Sequence, residues 1–181
     1  MSEPPRLSRR ITLLFALIAT VALMIFPEEL WLGAQPDQTS PTKLEWYSLR
    51  EAQLKAASNG KKLMVLLTDP PCSDCQKLEA QTLNDEKTIQ RINEYFYPVR
   101  IHIDQPDTVH FNGMAYTTKE FADSFGVTAY PTLLFFNSDG KIISQQGGFM
   151  NKQLLRKLLC YIGSDAYKRM EFDQYSINTK N

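Results

Sequence analysis

The sequence predicts an α/β domain with a mixed central sheet and helices on both faces, preceded by one apolar N-terminal helix. Three observations predict it. A short uninterrupted apolar run, LMVLL at 63–67, reads as a strand buried on both faces, and TLLFF at 132–136 reads as a second strand. Segments with apolar residues at helical spacing alternate with them along the chain. Residues 11–26, ITLLFALIATVALMIF, carry no charge and follow Arg6, Arg9 and Arg10.

The N-terminal run would span about 24 Å as a helix, short of a hydrocarbon core of about 30 Å. Leu30, Trp31 and Leu32 extend it past Pro27, Glu28 and Glu29, so residues 11–32 form the candidate membrane segment. The three arginines keep residues 1–10 in the cytoplasm and place the rest outside. No small-x-small cleavage site is convincing: Leu32 is large for a site ending at Ala34, and Thr20-Val21-Ala22 lies inside the apolar run. An uncleaved anchor is the reading, with a cleaved export signal as the alternative. Residues 33–42, GAQPDQTSPT, form a linker, and residues 43–163 the folded domain. Residues 164–181 form a C-terminal tail.

Within the domain, Trp46, Leu49, Ala52 and Ala56 mark a first helix stopped by Gly60. The first strand ends at Asp69-Pro70-Pro71, and Cys72-Ser73-Asp74-Cys75 then opens a helix. A further helix carries Ile89, Ile92 and Phe96. Val99, Ile101 and Ile103 alternate with Arg100 and His102, as in a strand. Residues 104–116 read as a long loop. Thr117 and Glu120 have capping-box spacing before a helix with Phe121, Ala122 and Phe125. The strand TLLFF leads through Asp139-Gly140 into a returning strand at 141–144. Asn151 caps a last helix whose apolar face is Leu154, Leu155, Leu158, Leu159 and Ile162, closed by Gly163.

Cys72 and Cys75 are the candidate redox pair. At i and i+3 on a first helical turn their sulfurs can approach closely enough to bond. The helix N-terminus favours a thiolate on the first cysteine, and the thiolate is the nucleophile. Three cysteines in 181 residues are too few for a disulfide scaffold. Lys+Arg and Asp+Glu both count 20, so no basic excess points to nucleic acid.

The chain resembles the thioredoxin superfamily over roughly residues 43–163. The resemblance rests on LMVLLTDPPCSDCQKLE, on Ala129-Tyr130-Pro131-Thr132 before TLLFF, and on Asp139-Gly140 followed by Gly147-Gly148. Within that superfamily it is most similar to exported proteins related to the C-terminal domain of the thiol:disulfide interchange protein. The tail, with Ala166-Tyr167-Lys168, Phe172 and Tyr175, is similar to thioredoxins of bacterial sulfur oxidation. The resemblance implies a thioredoxin fold and a disulfide between Cys72 and Cys75. Cys72 would attack a protein disulfide and Cys75 would resolve the mixed disulfide. Pro131 would follow a cis peptide bond, and Tyr130 would offer its main chain to an extended substrate. The expected setting is a bacterial inner membrane, single-pass, with the domain in the periplasm, or a soluble periplasmic form after cleavage. The expected partners are protein disulfides and an upstream membrane electron donor; no cofactor is expected.

Two positions depart from the family pattern. Pro71 replaces the tryptophan before the first cysteine, and Leu66 replaces a buried acid six residues before it. Asp69 and Glu79 are the acids left to move a proton at Cys75. With Asp74 they also place negative charge near Cys72, which disfavours a thiolate. The pair is therefore expected to be a reductant, with a potential nearer about −270 mV than the about −120 mV of a strong oxidase. A disulfide oxidase or isomerase on the same site is the alternative. A copper-binding chaperone is another, using the cysteine pair and a distant histidine, with His110 as the candidate ligand. His102 reads as a strand residue on the face opposite Ile101, and Cys160 as a passive thiol opposite the leucine stripe, beside Gln153, Arg156 and Lys157.

Overall fold

The computed structural model describes residues 43–176. The candidate membrane segment 11–32, the flanking residues 1–10 and 33–42, and residues 177–181 lie outside the described residues. Among the described residues no helix is long and apolar enough to cross a membrane.

Helix α1 spans Leu49–Asn59. The Ser48 hydroxyl accepts the Glu51 N–H at its start, and Gly60, at φ +78°, ends it in the left-handed conformation. The helix therefore begins after Trp46, not with it. Residues before Ser48 are extended instead: Tyr47 N–H donates to the Pro98 carbonyl at 3.0 Å and bridges to Val99. Trp46 stacks on the Arg100 guanidinium, 4.3 Å from its ring centre. An apolar residue at helical spacing was thus serving a strand-edge contact.

Strand β1, Lys62–Thr68, is buried at every position. Helix α2, Ser73–Lys77, follows it and passes into a π-helical segment, Leu78–Leu83. Helix α3 is Glu86–Tyr95 and strand β2 is Phe96–His102. The span expected as a long loop holds a hairpin, β3 at Thr108–Phe111 and β4 at Met114–Thr117. Its turn is Asn112-Gly113, both at positive φ. That dipeptide is the strongest short-range hairpin signal, and Val109 and Phe111 alternate inward on either side of His110. Four-residue strands are simply too short to show a persuasive period.

Helix α4, Thr118–Ser124, starts at a complete capping box between Thr117 and Glu120. Strands β5, Thr132–Phe136, and β6, Ile142–Gly147, form the second hairpin, and helix α5, Lys152–Gly163, is capped by Asn151. The sheet order is β2-β1-β5-β6, with β1 and β2 parallel and the other pairs antiparallel.

The sheet separates two apolar cores. One holds Met64, Leu66, Leu133 and Phe135 against α3, α5 and the π segment. The other holds Val65, Leu67, Leu134 and Phe136 against α1, α4 and the β3–β4 hairpin. A strand buried on both faces needs this arrangement, because each run of consecutive apolar residues points alternately to both sides.

Helix α5 corrects one expectation. Leu154 is 42% exposed, whereas Cys160 is buried at 5%. The apolar stripe is rotated toward α3, whose Arg91 and Glu94 lie near the Cys160 thiol. Gly163 permits the close approach of the same two helices, since a Cβ there would enter the Tyr95 ring. Residues beyond α5 pack back on it: Tyr161 stacks edge-on against Phe172 and donates its hydroxyl to the Met170 carbonyl at 2.6 Å.

Candidate active site

The site lies where β1 ends. Asp69 accepts the Cys72 N–H at 3.0 Å across Pro70-Pro71, a turn that brings the chain off the sheet. Cys72 is the N-cap of α2. It keeps extended backbone angles while the helix begins behind it, which leaves its sulfur at the helix end.

Cys72 and Cys75 are joined as a disulfide, with Cα atoms 5.2 Å apart. The pair is asymmetric. Cys75 is buried at 4%, beneath a partly exposed Cys72. The Cys75 N–H donates to the Cys72 Sγ at 3.1 Å, an interaction that strengthens when that sulfur is a thiolate. On its other side the same sulfur lies 3.3 Å from the Tyr130 carbonyl oxygen. That oxygen can accept from a thiol and opposes a thiolate.

The Tyr130–Pro131 peptide is cis. Pro131 is buried and Tyr130 is partly exposed, so the tyrosine edge remains open beside the disulfide. Burial pushes the Tyr130 phenol up; Lys119 draws it down, and Asp123 and Asp69 add to the rise. The Pro131 carbonyl accepts the Gly148 N–H at 2.7 Å, which joins this loop to the end of β6.

The acids divide between different partners. The charge of Asp69 contributes to the rise of the Tyr130 phenol, as the last of its causes. Asp74 pairs with Lys77 at 3.3 Å. Glu79, four residues beyond Cys75, pairs with Arg100 at 3.5 Å. Arg100 stands opposite Leu66 across β1 and β2, where an acid on β1 would have met it. Its Nε is buried without a hydrogen bond, so Glu79 balances its charge without closing a hydrogen bond to it.

The two histidines do not join the cysteines. His102 and His110 line one cavity of about 270 Å³, together with Arg50 and Asp107, and neither cysteine borders it. Among the described residues no three His, Cys, Asp or Glu side chains converge on a metal position. Burial pushes the Cys160 thiol up, against the lowering effect of Arg91.

Two residues that matter to the geometry carried no sequence signal. Arg100 read only as the polar phase of a strand. Thr82 is fully buried and donates its hydroxyl to the Met150 carbonyl at 2.8 Å. A buried threonine in a helical stretch of mixed residues has no pattern by which to find it.

Residues 49–163 match the thioredoxin-like domain family. The chain is 33% identical over 99 residues to the thiol:disulfide interchange protein DsbD of Actinobacillus pleuropneumoniae serotype 5b (strain L20). That match covers 54% of this chain but only 15% of the relative's length. Among solved structures it is similar to a thioredoxin-fold protein from Helicobacter pylori, with 22% identity and a TM-score of 0.55 over 64% of this chain and 77% of that one. It is also similar to a thioredoxin from Thermus thermophilus, with 20% identity and a TM-score of 0.52 over 74% of this chain and 98% of that one. These two likenesses bear on the fold. The chain belongs to the thioredoxin-like domain family, and Cys72 and Cys75 form a CxxC pair within the matched residues.

Proposed function

We propose that this protein reduces protein disulfides through Cys72 and Cys75, on the outer side of a membrane to which residues 11–32 attach it. The observation that carries the chemistry is the asymmetry of the pair: Cys72 at the surface, Cys75 buried behind it and donating its N–H to the Cys72 sulfur.

In the reduced protein the Cys72 thiolate attacks one sulfur of a substrate disulfide. A mixed disulfide forms and the other substrate sulfur leaves as a thiolate. Cys75 then loses its proton and attacks the Cys72 sulfur. The substrate sulfur held in the mixed disulfide leaves as a thiolate, and the protein is left with the Cys72–Cys75 disulfide. Two electrons pass to the substrate, and a donor must return them. An electron donor in the membrane would meet that need, beside the segment 11–32 that attaches the protein in this reading. Tyr130 lies beside the sulfur with an open edge, where the main chain of an extended substrate would pair.

Of the two acids, Glu79 is the better placed to take the Cys75 proton, since it follows Cys75 by one turn on the same helical stretch. Asp69 precedes the pair, before the Pro70-Pro71 turn. The reductant direction draws on the Tyr130 carbonyl, which opposes a Cys72 thiolate at 3.3 Å. Asp74 and Glu79 contribute less to it, because each is paired with a cation.

The test is a trapping experiment. Cys75→Ser should accumulate mixed disulfides with substrate proteins in cells, and Cys72→Ser should form none. Trapped species that persist in Cys72→Ser, or that run through Cys160, would overturn the assignment.

A further inference from the structure

We infer that Thr82 is a positioning residue for the redox pair: its buried hydroxyl holds the Gly148–Met150 loop, and through it the Tyr130 carbonyl, against the Cys72 sulfur. The inference deepens the proposed function and rests on it.

Four contacts form the chain of support. Thr82 donates to the Met150 carbonyl at 2.8 Å, and both residues are buried. Two residues before Met150, Gly148 donates its N–H to the Pro131 carbonyl at 2.7 Å. Pro131 follows Tyr130, whose carbonyl oxygen lies 3.3 Å from the Cys72 sulfur. Cys72 caps the helical stretch that carries Thr82. The loop is thus closed on itself, from the cysteine helix to the proline turn and back to the cysteine. Apart from Cys72 itself, Thr82 supplies the side chain among these four contacts, and its 0% exposure leaves water no easy way to replace it.

The π-helical segment explains how Thr82 reaches that place. A π turn holds one residue more than an α turn, and it reorients the side chains that follow. Leu78, Thr82 and Leu83 are the residues this segment buries. It aims one polar side chain at the loop, within the core that also holds Met150.

The sign of the effect follows from the charge on the Tyr130 oxygen. A carbonyl oxygen carries partial negative charge, so its approach disfavours a thiolate and favours a thiol or a disulfide sulfur. If the loop is released, the oxygen recedes and the Cys72 thiolate becomes easier to form. The reaction that reads this is the exchange of the protein disulfide with two glutathione thiols, giving the protein dithiol and one glutathione disulfide. Stabilising the thiolate moves it toward the protein dithiol.

The experiment compares the full chain with Thr82→Val and Thr82→Ser. In T82V the shape is kept and the donor is lost; in T82S the donor is kept. T82V should move the pH profile of Cys72 alkylation to lower pH. It should also shift the glutathione equilibrium toward the dithiol by about threefold to tenfold, the scale of one buried hydrogen bond. T82S should keep the wild-type profile. A T82V profile that coincides with wild type, or moves to higher pH, overturns the inference, even if T82V melts at a lower temperature. If T82V does not fold, a shifted profile in T82S overturns it and an unshifted one supports it. Failure of the wild-type protein to exchange with glutathione would instead count against the proposed function, which keeps the two apart.

Discussion

The Cys72 sulfur lies 3.3 Å from the carbonyl oxygen of Tyr130, a residue 58 positions further along the chain. The same sulfur receives the Cys75 N–H at 3.1 Å. One neighbour opposes a thiolate and the other favours it. Of the local acids, Asp74 and Glu79 are each paired with a cation, at 3.3 and 3.5 Å.

Accessibility separates the three cysteines. In the reduced native protein, iodoacetamide at mildly acidic pH should label Cys72 first. Cys75 is buried, and burial pushes the Cys160 thiol up, so both should react far more slowly. Cys160→Ala should retain disulfide reduction. Mass-spectrometric mapping of the first labelled site decides it, and prior labelling of Cys160 would contradict the packing between α5 and α3.

Glu79 and Asp69 can be told apart by the step they affect. Glu79→Gln should slow release of the mixed disulfide by about tenfold, at or below the low end of general acid–base effects. Asp69→Asn should leave that step unchanged. Stopped-flow measurement of the resolving step, with binding of substrate held saturating, distinguishes them. Equal slowing in both variants would remove Glu79 from the proposed role.

Asp85 links α3 to α5 and makes stability depend on pH. It accepts the Thr88 N–H at 3.1 Å as the α3 cap, and lies 3.4 Å from Lys152 and 3.7 Å from Arg156. Burial raises its pKa, but the Thr88 hydrogen bonds and the two cations outweigh that and hold it below 3.8. A carboxylate held low stabilises the fold above its unfolded value, and that stability is lost as pH falls through the folded one. Asp85→Ala should cost about 1–2 kcal/mol at pH 7, the scale of an N-cap with added ion pairing. Urea titrations of both proteins should show the difference shrinking as pH drops below 4. A difference that stays constant from pH 7 to pH 3 would mean the cations contribute nothing.

Arg100 is expected to matter through packing as well as charge. It stacks on Trp46 at 4.3 Å and meets Glu79 at 3.5 Å. Arg100→Ala should destabilise by about 1–2 kcal/mol, combining a partly desolvated cation–π contact with a weak ion pair. Glu79→Gln should cost less than about 1 kcal/mol, since only the ion pair is lost. Thermal unfolding of the two variants checks the order, and a larger loss in E79Q would reverse it.

The proposed attachment has its own test. A reporter fused after residue 181 should be active only outside the cytoplasm, and the protein should fractionate with membranes. Release of a soluble form beginning after Ala22 or Ala34 would leave export standing and remove the anchor.

By itself the sequence determined the strands LMVLL and TLLFF, the caps at Thr117 and Asn151 and the cysteine pair. Each of these is a local matter. LMVLL has nowhere to go but between two layers, Thr117 and Glu120 cap one another over three residues, and Cys72 and Cys75 share a single turn. The hairpin at Asn112-Gly113 was legible too, in its turn dipeptide, though its strands were too short to show a period. Only the tertiary structure decided what surrounds the sulfur and which way α5 faces. Tyr130 reaches Cys72, and Thr82 reaches Met150, through loops brought together by the sheet. Cys160 is buried and Leu154 exposed because α3 packs on one side of α5 and not another. Local spacing gives a helix its stripe, but the neighbour that covers the stripe fixes its rotation. That neighbour is set by contacts far apart in the chain.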